Sequence, residues 1–422
     1  MLKINKVAIL SIFALFQIVA VAQNNTNSPY TRFGYGELAN RSFAAGRAMG
    51  GIGYGLRSPQ QINPLNPASY SAMDSLTFML DFGVAAQFSR FDDGLNKQNN
   101  TNGNLEYIAM QFPIVKRVAM SLGLLPYSYV GYDFGSINYI DDSGTGTQYQ
   151  QHFLGTGGLN EIYAGLSVEV WKKRLSVGAN AGYLFGNIQH EKELQIFEND
   201  AVVLSDWRKI RVSDIMLDFG IQYTQPLSKK EHLTIGAVFS PKNTLSNKVF
   251  TIHQEFQGSS LVESTGDTAR NVPMGIPNSY GLGLTYVKKN KLTVGADVLY
   301  QDWKHVDFPF SDKETHFENR YKISVGGEFI PNYYGRNFFN RVRYRAGGHF
   351  GNSYLQVKDA GYDEYGVSLG FGLPLIDNRS LVNVAFEYTK VAPKLNTLIK
   401  EQYFRITLNY TFNEFWFFKR KL

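Results

Sequence analysis

The chain has 422 residues, no cysteine, 40 glycines, 26 tyrosines and 31 phenylalanines. Aromatic residues reach 14% while mean hydropathy is negative, too polar for a bundle of membrane helices and unusually aromatic for a soluble enzyme. Formal net charge is only +6, and Lys3 and Lys6 of a leader supply two of those charges, so nothing argues for a nucleic-acid partner.

Met1 to Ala22 reads as a secretory signal peptide. Lys3 and Lys6 open it, an apolar run follows from Val7 to Ala20, and Ala20-Val21-Ala22 suits a signal peptidase. The apolar run is shorter than the roughly 20 residues of a spanning helix. No later stretch is long and apolar enough to span as a helix, so a membrane form of this chain must be a barrel.

Residues 23–74 carry glycines at 34, 36, 46, 50, 51, 53 and 55 and prolines at 29, 59, 64 and 67, with no sustained alternation. Such density implies tight, irregular backbone. Phe33, Phe43, Met49, Ile52, Tyr54 and Tyr70 nevertheless give the segment apolar content. A compact plug in the lumen of something larger explains both, and these six side chains are the candidates to pack in that lumen or line a ligand pocket. The competing reading is a periplasmic tail that orders only on binding.

From Ser75 the chain alternates with period two. Asn278 to Trp303 shows it best: Tyr280, Leu282, Leu284 and Tyr286 alternate with Ser279, Gly281, Gly283 and Thr285. After the basic turn 288–291, Leu292, Val294, Ala296, Val298 and Tyr300 do the same. A sandwich could hide such an apolar face as well as a barrel could turn it to lipid. The spacing predicts about fourteen strands, near 75–90, 105–112, 118–132, 158–171, 175–189, 212–225, 232–241, 278–287, 292–303, 320–330, 341–350, 362–373, 381–389 and 402–412. Connections alternate in length. Long polar ones follow odd strands (around 91–104, 133–157, 190–211, 242–277, 304–319, 351–361 and 390–401), and short ones follow even strands. That sorting is a feature of bacterial outer-membrane barrels and puts both mature termini on the periplasmic side. The expected organisation is a signal peptide over 1–22, a plug over 23–74, an all-β transmembrane antiparallel barrel over 75–412 and a periplasmic tail over 413–422. A fourteen-stranded barrel is too wide for wall side chains to fill, which gives residues 23–74 a place.

Several stretches resemble the FadL/TodX family of outer-membrane transporters for hydrophobic compounds. Asn66-Pro67-Ala68 resembles its N-terminal Asn-Pro-Ala element. Val272-Pro273 and Ile276-Pro277 lead into NSYGLGLTY like its proline-then-strand motif. LTVGADVLYQDWK (292–304) and VRYRAGGHF (342–350) resemble later strands. The resemblance implies a fourteen-stranded barrel with an N-terminal hatch. It also implies passive uptake of long-chain fatty acid-like or aromatic compounds, with a lateral opening at a kinked third strand into outer-membrane lipid. The SPYTRFGYGEL opening and the NEFWFFKRKL end resemble uncharacterised Bacteroidota barrels instead. Some relatives there serve secretion or assembly machinery, with other barrels or lipoproteins as partners. A structural subunit of such a complex is the alternative function.

No hydrolase, metalloprotease or phosphate-loop motif is present, and the seven histidines are scattered. No enzyme, cofactor or metal site is expected. Asp81, Glu106, Glu161, Glu169, Asp218, Asp297 and Glu328 fall within predicted strands and should point inward. They could pair with Arg32, Arg41, Arg47 and Arg57, or simply line a wet lumen. Pro126 interrupts the third strand. Either it kinks the wall, with Gly123, Tyr127 and Tyr129 about a lateral opening, or the strand ends there.

Overall fold

A computed structural model describes residues 25–139, 147–171, 174–197, 202–258, 260–309, 315–375, 379–395 and 397–415. The signal-peptide reading lies outside these residues, as does most of the predicted tail. Fourteen antiparallel strands form the wall: β1 Thr77–Asp92, β2 Lys97–Val115, β3 Val118–Tyr139, β4 Gln148–Trp171, β5 Leu175–Phe197, β6 Val202–Pro226, β7 Glu231–Ser240, β8 Ser279–Lys288, β9 Leu292–Gln301, β10 Arg320–Phe329, β11 Arg343–Asn352, β12 Tyr362–Pro374, β13 Leu381–Pro393 and β14 Lys400–Phe415. Each pairs with the next, and β14 closes the ring on β1, from Thr77 opposite Phe415 to Asp92 opposite Lys400. The barrel and its strand count agree with the sequence reading. β14 runs to Phe415, past the strand end read at Phe412.

The alternation acts as expected. Tyr280, Leu282 and Leu284 are exposed on the outer face, while Gly281, Gly283 and Thr285 face inward and are covered. Aromatic side chains ring the outside near the long-connection end: Phe239 against Tyr280, Tyr280 against Tyr300, Tyr321 against Phe350, Phe350 against Tyr365 and Phe88 against Phe404, with ring centroids 5.0–6.4 Å apart. Such a belt belongs at a lipid–water interface. Among the described residues no helix is long and apolar enough to cross a membrane.

Three stretches expected as polar connections are strand in part. β4, β5 and β6 have 24, 23 and 25 residues, against the roughly 9–11 a span requires. A hairpin, Asn247–Gln257 and Ser260–Arg270, pairs on the upper half of β6 with Val249 opposite Ile210. Above the covered pair Val249 and Ile210 most residues of this sheet are only partly buried on either face, so the apolar–polar alternation that reveals a strand fades there.

Candidate functional site

Residues 25–74 lie against the inward faces of strands all around the ring. Pro67–Ala72 forms a short 3-10 turn capped by Asn66, whose side chain accepts the Ala68 N–H at 3.1 Å. Asn66 Nδ2 donates to the carbonyls of Tyr54 (2.8 Å) and Ile221 (3.3 Å), and Ser167 Oγ donates to Ala68 O. The Asn-Pro-Ala element thus fixes the segment to β4 and β6. On the opposite side the backbone of Met49 and Gly50 lies on Gly326 and Gly347, a cross-strand glycine pair of β10 and β11. A Cβ on Gly326 would sit 2.1 Å from Met49 O.

Charge continues the attachment. Arg47 is 1% exposed and pairs with Glu106, with Glu387 at 3.7 Å. Arg41 reaches Glu161 at 2.8 Å and Asp218 at 3.0 Å. Burial alone would lower the Arg41 guanidinium, but Glu161 and Asp218 outweigh it and hold it above its ordinary range. Asp297 Oδ2 accepts the N–H groups of Gly53 (2.5 Å) and Tyr54 (2.8 Å). Two of the four arginines read as candidates to meet wall carboxylates therefore do so. Arg57 instead donates to Ala68 O and Ser71 Oγ, and burial brings it down to about 10. Arg32 lies 4.0 Å over the Phe153 ring. Asp81, Glu106, Glu161, Asp218, Asp297 and Glu328 are all buried on the inward side, and Glu169 faces Arg117 at 3.5 Å.

The six apolar residues singled out in 23–74 fall in four places. Phe43 and Tyr70 join Met79, Tyr107 and Tyr163 in a cluster toward the short-turn end. Tyr70 Oη also donates to Asn180 Oδ1 at 3.0 Å. Met49 and Ile52 form a small cluster with Leu56. Phe33 packs on a larger cluster toward the long connections, which includes Tyr35, Trp303 and Tyr354. Tyr54 alone of the six faces the cavity of about 260 Å³ left between the segment and the wall. That cavity is lined by tyrosines 30, 54, 127, 354, 362 and 403, and by charged Glu37, Arg41, Arg320, Lys322, Glu364 and Glu401. Arg41, Asp218 and Asp297 of this lining are among the inward charges expected from the sequence; Glu37, Arg320, Lys322, Glu364 and Glu401 are not, because charges from distant strands meet only once the ring closes. No group of three His, Cys, Asp or Glu among the described residues is placed to hold a metal ion.

The wall is not uniformly paired. The β2–β3 ladder ends at Ile108 opposite Leu124, while β3 continues through Pro126 to Tyr139 paired with β4 but no longer with β2. The strand does not end at Pro126. Its register with β4 slips between Pro126 and Ser128, so Tyr127 is an extra residue, a bulge. Gly123 lies below the break, still opposite Ala109, and its missing side chain makes room for the Tyr163 ring. Tyr127 lines the cavity and Tyr129 is buried beside it.

The N-terminal segment occupies the unpaired stretch. Glu37 and Leu38 form a two-residue antiparallel ladder with Tyr129 and Ser128. Ala39 N–H donates to Tyr127 O at 2.9 Å, and Thr31 Oγ1 accepts the Gly131 N–H at 3.2 Å. On the β2 side, Asn104 Nδ2 donates to Asn25 O and Asn27 Nδ2 to Asn102 Oδ1. Gly36 has φ +80°, and a Cβ there would lie 2.2 Å from Tyr129 O, so the approach requires glycine. Sequence reasoning missed residues 31 and 37–39, since two residues carry no periodicity; only Gly34 and Gly36 flanking Glu37-Leu38 hint at them. Asn25 thus sits beside the upper part of β2, whereas Phe415 ends opposite Thr77 at the short-turn end.

Solved structures share this architecture. The CymD monoaromatic hydrocarbon channel is 15% identical with a TM-score of 0.59, covering 90% of this chain and 98% of that one. The Pseudomonas putida toluene transporter TodX is 14% identical with a TM-score of 0.58, covering 90% and 100%. A Pseudomonas aeruginosa FadL homologue is 15% identical with a TM-score of 0.57, covering 89% and 99%. At these identities the likeness is one of fold, and the fold is that of outer-membrane channels. No curated protein sequence matches the chain. A family model described as BamG matches residues 1–422, the whole chain, and the chain accordingly belongs to the BamG family.

Proposed function

We propose that this protein is an outer-membrane conduit that passes hydrophobic small molecules, fatty acid-like or aromatic, sideways through the wall between β2 and β3. The observation that carries this reading is the ladder ending at Leu124, followed at once by Pro126 and the Tyr127 bulge. Residues 25–74 serve as the hatch in this reading, and displacing 31 and 37–39 opens the slot. The solved channels of similar fold are named for hydrocarbons and toluene, which is consistent with such a cargo. Uptake of a radiolabelled long-chain fatty acid and of toluene by cells carrying the protein tests it. The expected result is saturable uptake of one of the two that is lost when Leu38 is tied to Ser128; uptake equal to that of cells without the protein refutes it.

A second reading is a structural subunit of an outer-membrane assembly or secretion complex. Two observations favour it. Ten of the residues lining the cavity carry charged side chains, which suits a hydrocarbon poorly. The β4–β6 sheet and its hairpin end at Ser260–Arg270 in an exposed strand that pairs only with Asn247–Gln257 among the described residues, an edge that suits contact with another chain. The BamG family name is consistent with a barrel-assembly setting. Purification from gently solubilised membranes separates the readings: co-purifying barrels or lipoproteins in fixed ratio support the subunit, and a lone barrel contradicts it.

A further inference from the structure

We propose that the upper edge of β3 is an acceptor for an extended strand of a second outer-membrane polypeptide, with residues 31 and 37–39 of this chain holding that strand's place here. The proposal rests on the reading as an assembly subunit and assigns it a contact site.

Two strand edges face each other without pairing. Above Leu124, β3 has β4 on one side and no ladder with β2 on the other; above Ile108, β2 pairs with β1 and not with β3. A barrel exists to remove such edges, because an unpaired backbone group in lipid has no substitute partner.

The chain's own residues treat the β3 edge as half of a ladder. Tyr127, Tyr129 and Gly131 are engaged in turn by Ala39, Glu37 and Thr31, every second residue, as the next strand of a sheet would engage them. The substitute is incomplete. Regular pairing covers two residues, Thr31 completes the series with a side chain in place of backbone, and Ser128 Oγ and Tyr129 Oη are buried without a hydrogen-bond partner among the described residues. Beyond Gly131 the edge runs on to Tyr139 with no second strand among the described residues. A foreign strand could pair along that whole length, antiparallel to β3, which the short internal ladder cannot.

Chemistry also selects the occupant. An apolar ligand in the slot leaves backbone groups of 127, 129 and 131 without partners in hydrocarbon, which is costly. That cost is tolerable for a brief passage and not for a lasting open state. An extended polypeptide satisfies them all by strand addition.

The test uses the full-length protein, whose lack of cysteine makes introduced thiols unique. Ala39 and Tyr127 form a hydrogen-bonded pair, so Leu38 and Ser128 are the adjacent non-hydrogen-bonded pair, whose Cα spacing near 4.5 Å allows a disulfide. L38C/S128C therefore locks the substitute in place. Leu105, exposed on β2 beside the break, is replaced by the photo-crosslinker benzoylphenylalanine. The expected result is an adduct in outer membranes that maps by mass spectrometry to an extended segment of another outer-membrane protein. Oxidation of L38C/S128C should lower its yield about tenfold and reduction restore it. Ala39→Pro, which removes the N–H donated to Tyr127, should raise the yield, and it keeps the test decisive if the disulfide variant fails to fold. Adducts only to lipid or to a second copy of this chain, or a yield indifferent to the lock, overturn the proposal. If other barrels co-purify in fixed ratio while no slot adduct forms, the site is wrong and the subunit reading stands; if neither occurs, both fall.

Discussion

The Phe43 ring lies flat on the Tyr107 ring, centroids 3.6 Å apart and planes within 3°, and the Tyr107 hydroxyl accepts the Ala44 N–H at 3.1 Å. One wall residue thus holds the N-terminal segment by a face and by an edge. Tyr107→Phe keeps the stack but strands a buried donor, a cost of about 1–3 kcal/mol. Tyr107→Leu also loses the ring pair, about 0.5–1.5 kcal/mol more. The expected outcome is graded protease cleavage within 25–74 of the folded barrel, slight for Phe and strong for Leu. Equal resistance in both variants would show that the contact contributes nothing.

Arg47 gives a sharper case. Removing one member of a buried ion pair costs roughly 3–5 kcal/mol because the other is left charged and unpaired. Arg405 stays 3.7 Å from Glu106, so Arg47→Met should fall toward the low end, about 3 kcal/mol. The double variant Arg47→Met with Glu106→Gln should recover part of that loss, measured as the urea concentration at which protease reaches the segment. No recovery would mean that Arg47 acts through packing, not charge.

Gly326→Val tests the close approach on the far side. The valine cannot share space with the Met49 carbonyl, so the segment must leave β10 while β10 itself gains a residue that favours strand. Expected are unchanged heat-modifiable migration and increased hydrogen exchange at 47–52. A variant that fails to form a barrel would mean that the segment is needed to assemble the wall.

The wall was legible in the sequence and the lumen was not. Membrane strands must alternate, since one face meets lipid, so Tyr280, Leu282 and Leu284 announced themselves, and turns such as 288–291 marked the boundaries. Inward positions obey no comparable rule. Gly281, Gly283 and Gly326 read as mere small residues, and only the folded ring shows that they leave room for the backbone and rings of residues 49–55. Phe43, Tyr70 and Met49 are buried in apolar clusters while Tyr54 faces the cavity, and nothing local in the sequence separates a residue that packs on the wall from one that faces the cavity. The upper strand extension escaped because most of its residues are only partly buried on either face.

Pro126 carries the fourth expectation. It lies within β3, just above the last pair with β2. Valine there supplies an N–H and favours a regular strand. Pro126→Val should straighten β3 and reduce uptake of the hydrophobic probe with assembly intact, read by transport and by heat-modifiable migration in parallel. Normal transport by the variant would leave the bulge without a part in opening the wall.

Residues 25–74 are expected to close the lumen and its unpaired wall. Planar-bilayer conductance of the full chain against a form lacking 24–60 tests this directly. The full chain should show little steady conductance, and the deletion should give stable open channels from a barrel that still migrates heat-modifiably. Equal conductance in the two forms, with both folded, would contradict it.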